Sequence, residues 1–230
     1  MKYIILIYCV LSNFTFADDW TIFRGKPDLR SVQNAKHMPN LKKLKKVWEF
    51  NAQKTVNGTV VIKGDHLFVG SHTNIFHCLN RKTGKEIWQF KSEEPIDGSA
   101  LIIGEKVFFA NSSGSLYCLA TKTGKVIWKK SLDDKIMGAA NRLDIKKKSY
   151  LVFGSYDGSL YCLDADTGKE LWKMESSNYI NGTPAIADGK IAIGGCDSNI
   201  YVLDSAGKEH AKFSLGAYIA GSAALVDGHI

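Results

Sequence analysis

A chain of 230 residues, 45% hydrophobic and 11% aromatic, is long enough for one or two globular domains with a sizeable core, which excludes intrinsic disorder. The net charge of +7 comes from 30 Lys and Arg against 23 Asp and Glu. No stacking motif or nucleic-acid fold signature accompanies the lysines, so a solvated or membrane-facing basic surface is expected and no nucleic-acid partner.

Residues 1–17 carry Lys2, then the apolar run 3–11, then Thr15-Phe16-Ala17 before Asp18-Asp19. A basic start, a short apolar segment and small residues three and one before a break describe a secretory signal peptide cut after Ala17. The run is shorter than the roughly 18 apolar residues of a membrane span, and no later run is longer, so the mature chain is expected not to be transmembrane. Export predicts a periplasmic or extracellular protein, with association with the outer membrane as a further option. Cys9 lies in the apolar run, but a lipobox needs a small residue before its cysteine and Tyr8 is large, which makes lipidation the lesser alternative.

Residues 18–45 read as an irregular amino-terminal segment that opens Asp19-Trp20-Thr21-Ile22-Phe23-Arg24-Gly25 and ends near the cluster Lys42, Lys43, Lys45 and Lys46. Residues 46–50 form a single strand with a Trp48-x-Phe50 pattern and no earlier strands of its own. In a closed ring such a strand completes the last blade.

Residues 46–230 are built on a repeat. Residues 161–172 read Tyr-Cys-Leu-Asp-Ala-Asp-Thr-Gly-Lys-Glu-Leu-Trp, a strand, a Thr-Gly turn and a second strand ending in Trp172. The hairpin recurs with Cys78, Leu79, Thr83, Gly84 and Trp88, and again with Cys118, Leu119, Thr123, Gly124 and Trp128. A fourth copy keeps Tyr201, Leu203 and Gly207 but lacks the Thr, one turn residue and the Trp. Leu79, Leu119, Leu163 and Leu203 are spaced by 40, 44 and 40 residues. Repetition at that period in strand-like pattern predicts an all-β fold, a β-propeller of four-stranded blades. Inner strands are expected at 58–62, 98–103, 138–143 and 182–187. The four extra residues of the third repeat are expected in a lengthened loop at 144–149 that carries Lys146, Lys147 and Lys148. A fifth repeat begins at Gly221, and a chain stopping at Ile230 reads as part of a longer propeller, with about four blades present.

The repeat residues have structural readings. Gly84, Gly124 and Gly168 supply the backbone angle of a tight turn, and Trp88, Trp128 and Trp172 are expected to pack between adjacent blades. Gly58, Gly98, Gly138, Gly182 and Gly221 open the inner strands, where backbones converge. Cys78, Cys118 and Cys162 hold one position in successive repeats; stacked sheets about 10 Å apart are too distant for a disulfide, so they are small apolar fillers.

The hairpin pattern, the strand Gly-Ser-Leu-Tyr-Cys-Leu at 158–163 and the opening Asp-Trp-x-x-Phe-Arg-Gly at 19–25 resemble the PQQ-like (pyrroloquinoline quinone) repeat propellers across nearly all of residues 19–230. The resemblance implies an eight-bladed ring with Trp motifs docking adjacent blades, in a family of quinoprotein alcohol dehydrogenases, an outer-membrane assembly scaffold and exported proteins without assigned activity. The dehydrogenases place adjacent cysteines over the quinone, with acidic and Asn ligands for calcium and a catalytic Asp; this chain has no adjacent cysteine pair. Cys196 beside Asp197 lacks an activating neighbour, no Cys-x-x-Cys-His supports haem, and the histidines have no metal spacing. No catalytic residue, metal or cofactor is therefore expected.

A funnel rim, if it binds, draws on Asn57, Asp97 and Asn181 before the inner strands, with His72, Tyr156, Asp157 and Asp197 outside them; Met137 and Ala220 fill the equivalent inner places. The expected function is an exported scaffold binding a protein or a cell-envelope component. The alternative is part of a quinoprotein alcohol or sugar dehydrogenase using pyrroloquinoline quinone with calcium.

Overall fold

The computed structural model describes residues 4–9, 19–31, 45–227 and 229–230, and all regular structure among them is β. Two strands, β1 (Ile4–Cys9) and β2 (Lys45–Asn51), pair with each other. Four antiparallel sheets of four strands then follow in chain order, each with its strands side by side as they occur. The first is β3 (Val61–Lys63), β4 (His66–Gly70), β5 (Ile75–Asn80) and β6 (Glu86–Lys91). The second is β7 (Leu101–Ile103), β8 (Lys106–Ala110), β9 (Ser115–Ala120) and β10 (Val126–Ser131). The third is β11 (Asn141–Ile145), β12 (Lys148–Gly154), β13 (Ser159–Asp164) and β14 (Glu170–Glu175). The fourth is β15 (Ala185–Ala187), β16 (Lys190–Gly194), β17 (Asn199–Asp204) and β18 (Glu209–Ser214). This is the expected blade architecture.

The hydrophobic pattern explains the stacking. Second strands read as unbroken apolar runs, and Leu67-Phe68-Val69, Val107-Phe108-Phe109, Leu151-Val152-Phe153 and Ile191-Ala192-Ile193 are all buried. A strand covered on both faces has no polar side, so its sequence does not alternate. The cores accordingly lie between blades. One joins Phe68 and Phe76 to Val107 and Phe109, another joins Leu101 and Phe108 to Leu151 and Phe153, and a third joins Val152 and Leu160 to Ile191 and Ile193. Phe76 and Phe109 stack across the first of these seams with centroids 4.0 Å apart.

Each outer-strand tryptophan docks on the next blade's turn. The indole N–H of Trp48 donates to the Arg81 carbonyl at 2.8 Å, Trp88 to Thr121 at 2.9 Å, Trp128 to Ala165 at 3.2 Å and Trp172 to Ser205 at 3.1 Å. Their rings cover Gly84, Gly124, Gly168 and Gly207 in turn. Gly168 shows why glycine is needed: its φ is +69°, and a Cβ there would lie 2.9 Å from the Trp128 ring. Just before each tryptophan the ladder skips one residue, leaving Val47, Ile87, Ile127 and Leu171 as outward bulges. These account for four of the exposed large apolar side chains.

Cys78, Cys118 and Cys162 face those tryptophans across the ladder and are buried free thiols, each pushed up to about 12 by burial. Of the cysteines at 78, 118, 162 and 196, only half-buried Cys196 is expected to react with a thiol reagent in the folded protein. Mass spectrometry of the labelled peptides checks this, and equal labelling of Cys118 would reject the packing assignment.

Two expectations are corrected. The inner strands begin about three residues later than expected, at Val61, Leu101, Asn141 and Ala185, because the residues around each glycine meet the neighbouring blade instead of a ladder partner. The extra residues of the third repeat also do not lengthen a loop. They extend β11 and β12 in continuous register from Asn141↔Val152 to Ile145↔Lys148, leaving Lys146 and Lys147 in the turn and Lys148 on a strand. Lys146 enters the left-handed region with φ 50°, as a two-residue hairpin turn requires.

Residues 19–31 contain no regular strand, yet they are ordered by the inner strands. Trp20 and Ile62 exchange main-chain bonds of 2.9 and 2.7 Å, and the Ile102 amide donates to Thr21 at 2.7 Å. The Ile186 amide donates to Pro27 at 2.8 Å and the Leu225 amide to Asp28 at 3.0 Å. The buried Asn141 amide reaches both Pro27 and Pro184 carbonyls at 2.7 Å. The segment thus straps the first, second, third and fourth blades and the chain beyond them, with Ile22 and Leu29 buried beneath it. The cut expected after Ala17 and the lysines at 42 and 43 lie outside the described residues.

Candidate functional site

The site grows from the residues that open each inner strand. At Gly138 a Cβ would lie 2.7 Å from the Asn181 carbonyl oxygen and 2.8 Å from that of Gly182, so only glycine lets the two backbones meet. The same contact repeats from Gly58 to Gly98, Gly98 to Gly138 and Gly182 to Gly221. Around this line of glycines lies a depression of ≈ 220 Å³ lined by Asn57, Asp97, Met137, Asn181 and Ala220, with Phe23 entering from the strap.

Three of the sequence-nominated rim residues come together. The Asn57 side-chain amide donates to Asp97 Oδ1 at 2.9 Å, and His72 Nε2 lies 2.6 Å from the same oxygen and 3.2 Å from Asn57 Nδ2. The Asp97 side chain is 11% exposed and that of His72 32%, so this seam between the first two blades is partly shielded. Asn181 lines the depression apart from that cluster.

The other three nominated residues sit farther round the rim. Tyr156 stacks on Tyr179 with centroids 4.8 Å apart, and burial raises its phenol. Asp157 accepts from the Tyr161 hydroxyl at 2.6 Å and the Ser159 amide at 2.9 Å. Asp197 accepts from the Tyr201 hydroxyl and from the amides of Asn199 and Ser177 at 3.1 and 3.3 Å. Both carboxylates are therefore engaged, Asp157 within its own loop and Asp197 also across to the inter-blade loop at Ser177.

Burial pushes Asp197 upward, but the Tyr201 hydroxyl and the hydrogen bonds involving Asn199 and Ser177 outweigh it and hold the carboxyl below its ordinary value. A carboxyl depressed on folding stabilises above its unfolded value and ceases to do so as pH falls through the folded one. Asp197→Asn is thus expected to destabilise at neutral pH and to lessen the loss of stability on acidification below about pH 4. Urea midpoints measured across that range check it, and parallel curves for both proteins would reject it.

Sequence reasoning missed the hydroxyls that follow the glycines. The Thr59 amide donates to Ser99 Oγ at 2.7 Å, Ala139 to Thr183 Oγ1 at 3.0 Å and Thr183 to Ser222 Oγ at 2.8 Å. The signal was the recurrence of Gly-Thr or Gly-Ser at 58, 98, 182 and 221, broken only by Gly138-Ala139. Tyr179 on the rim was also missed, and Cys196, set aside for want of an activating neighbour, holds the place of His72, Ser112 and Tyr156. His72, Ser112, Tyr156 and Cys196 each donate their amide to a carbonyl of the loop that leads into their own blade, at 2.8 to 2.9 Å. Among the described residues no group of three or more His, Cys, Asp or Glu is arranged to hold a metal ion, and no helix is long and apolar enough to cross a membrane.

Stacked meander blades, a tryptophan on each turn and a glycine-lined axis define a β-propeller of PQQ-like repeats. The family model described as outer membrane protein assembly factor BamB matches residues 43–139 and 112–211, and the chain belongs to that family. Among solved structures it is similar to BamB from Moraxella catarrhalis, with 22% identity and a TM-score of 0.68 over 78% of this chain and 59% of that one. It is also similar to the computationally designed Ika8 protein, with 18% identity and a TM-score of 0.64 over 74% of this chain and 53% of that one. Quinohemoprotein alcohol dehydrogenase from Comamonas testosteroni shows 15% identity and a TM-score of 0.69 over 85% of this chain and 41% of that one. The chain thus spans between 41% and 59% of the length of these three structures. No curated protein matches.

Proposed function

We propose that this protein is an exported propeller scaffold that binds another protein of the cell envelope through its funnel rim. The observation that carries the reading is the unequal rim. A polar cluster of Asn57, His72 and Asp97 stands at one seam, and the Tyr156–Tyr179 stack stands at another, with Tyr179 48% exposed. Aromatic faces beside hydrogen-bonding groups suit a one-sided protein contact. The amino-terminal pattern of residues 1–17 supports export, and the description of the matched family supports an envelope role.

The residues lining the depression in this chain favour the scaffold over the dehydrogenase alternative. Pyrroloquinoline quinone carries three carboxylates, whereas the residues lining the depression include Asp97 and neither Lys nor Arg. Such an anion buried here would need the calcium of that alternative, held by residues other than these, to offset its charge.

The test is retention of envelope proteins on immobilised full-length protein, compared with a His72→Ala, Tyr179→Ala variant. A partner retained by the parent and lost from the variant is the expected result. Equal retention by both, or saturable calcium-dependent quinone binding in a parallel titration, would reject the reading.

A further inference from the structure

One pairing of third with fourth strand recurs in all four blades. Cys78 faces Trp88, Cys118 faces Trp128, Cys162 faces Trp172 and Val202 faces Ala211. One fourth-strand residue is then skipped, and Leu79, Leu119, Leu163 and Leu203 face Glu86, Val126, Glu170 and Glu209. On the other side of the bulge, the first blade pairs His77 with Gln89, Phe76 with Phe90 and Ile75 with Lys91.

The pairing of β1 with β2 is the same. Ile7 faces Trp48, Val47 is skipped, and Tyr8 faces Lys46; before the bulge, Leu6, Ile5 and Ile4 face Glu49, Phe50 and Asn51. Aligned on the tryptophan, Ile4–Cys9 holds the position of a third strand, in the register and with the bulge of the complete blades. A slip of one residue would exchange the two faces of the strand, so this register is the one that presents an incoming segment as a blade does.

The receiving strand is prepared for this. Trp48 is anchored on Gly84 and the Arg81 carbonyl, and Phe50 packs edge-on against His77 with centroids 4.9 Å apart. β2 is therefore held on the first blade by its side chains, which leaves its main-chain edge to pair with β1, and a preformed edge binds a strand with little ordering cost.

Ring closure already assigns this acceptor edge of β2 to a third strand of the last blade; we infer that Ile4–Cys9 occupies it in that strand's place, as a built-in competitor, until residues 1–17 are removed. The release step rests on the export reading; the acceptor rests on the register alone. Blade completion at β2 is thereby withheld while the leader is attached.

The test uses the full chain and the same chain carrying Leu6→Pro and Ile7→Pro. Adjacent prolines guarantee that at least one removes an amide directed at β2. The probe is a fluorescein-labelled peptide with the sequence of residues 158–165, and intrinsic tryptophan fluorescence confirms that both proteins are folded. Saturable binding at least tenfold tighter to the proline variant is expected. Equal affinity for the two chains, or binding to neither, would overturn the acceptor and its competitor. Removal of the leader is read separately, from the amino-terminal mass of protein recovered from cells; an intact leader there overturns release whatever the peptide does.

Discussion

Replacing Gly138 with alanine is expected to lower stability by about 3 kcal/mol, the upper end of ordinary overpacking costs. The methyl group would meet two backbone carbonyl oxygens, those of Asn181 and Gly182, at 2.7 and 2.8 Å. A side chain can rotate away from such a contact, but these oxygens belong to the loop that opens the next inner strand, so relief requires the blades to separate. Gly64→Ala is the control: its φ is +55° and no heavy atom lies within 4 Å of the added Cβ, leaving only a backbone cost of about 1–2 kcal/mol. Urea unfolding of the two variants checks the comparison. A Gly138 variant as stable as the Gly64 variant would mean that the axis is not close-packed.

Trp128→Ala is expected to cost about 3–5 kcal/mol, through lost packing at the seam between the second and third blades and loss of the donor to the Ala165 carbonyl. The sharper test is its coupling to Gly168. A Cβ at Gly168 would crowd the Trp128 ring at 2.9 Å, so truncating the tryptophan removes the steric part of the cost of Gly168→Ala and leaves the strain of φ +69°. The double variant should therefore be more stable than the sum of the single losses implies. Strict additivity would show that the ring and the turn do not contact each other in solution.

The strap at 19–31 and the strand at 4–9 show where reading the chain alone stops. Trp20, Ile22 and Leu29 belong to no periodic pattern, because their partners are the inner strands of blades far along the chain. The apolar run near the amino terminus carries the composition of an export leader, and its pairing with β2 depends on a register that composition does not encode. Part of the candidate site was legible. Asn57, Asp97 and Asn181 were found because each precedes a repeated glycine. The convergence of His72 with Asn57 and Asp97 was not, since it depends on how two successive blades are rotated about the axis. Asp157 and Asp197 read as rim residues from their loops, yet their carboxylates turn back to Tyr161 and Tyr201.

By itself, the sequence determined the repeat, the blades, the Trp and Gly pairs and the buried cysteines. Those features are enforced within about 40 residues by turn chemistry and strand patterning, and each copy repeats the same pattern. Only the tertiary structure decided which glycine meets which carbonyl, which carboxylates remain on the rim, how the strap crosses the inner strands and what lies along β2. Those contacts join residues from 20 to 62, from 141 to 27 and from 186 to 27, and side-chain direction at such separations is set by the packing of whole blades.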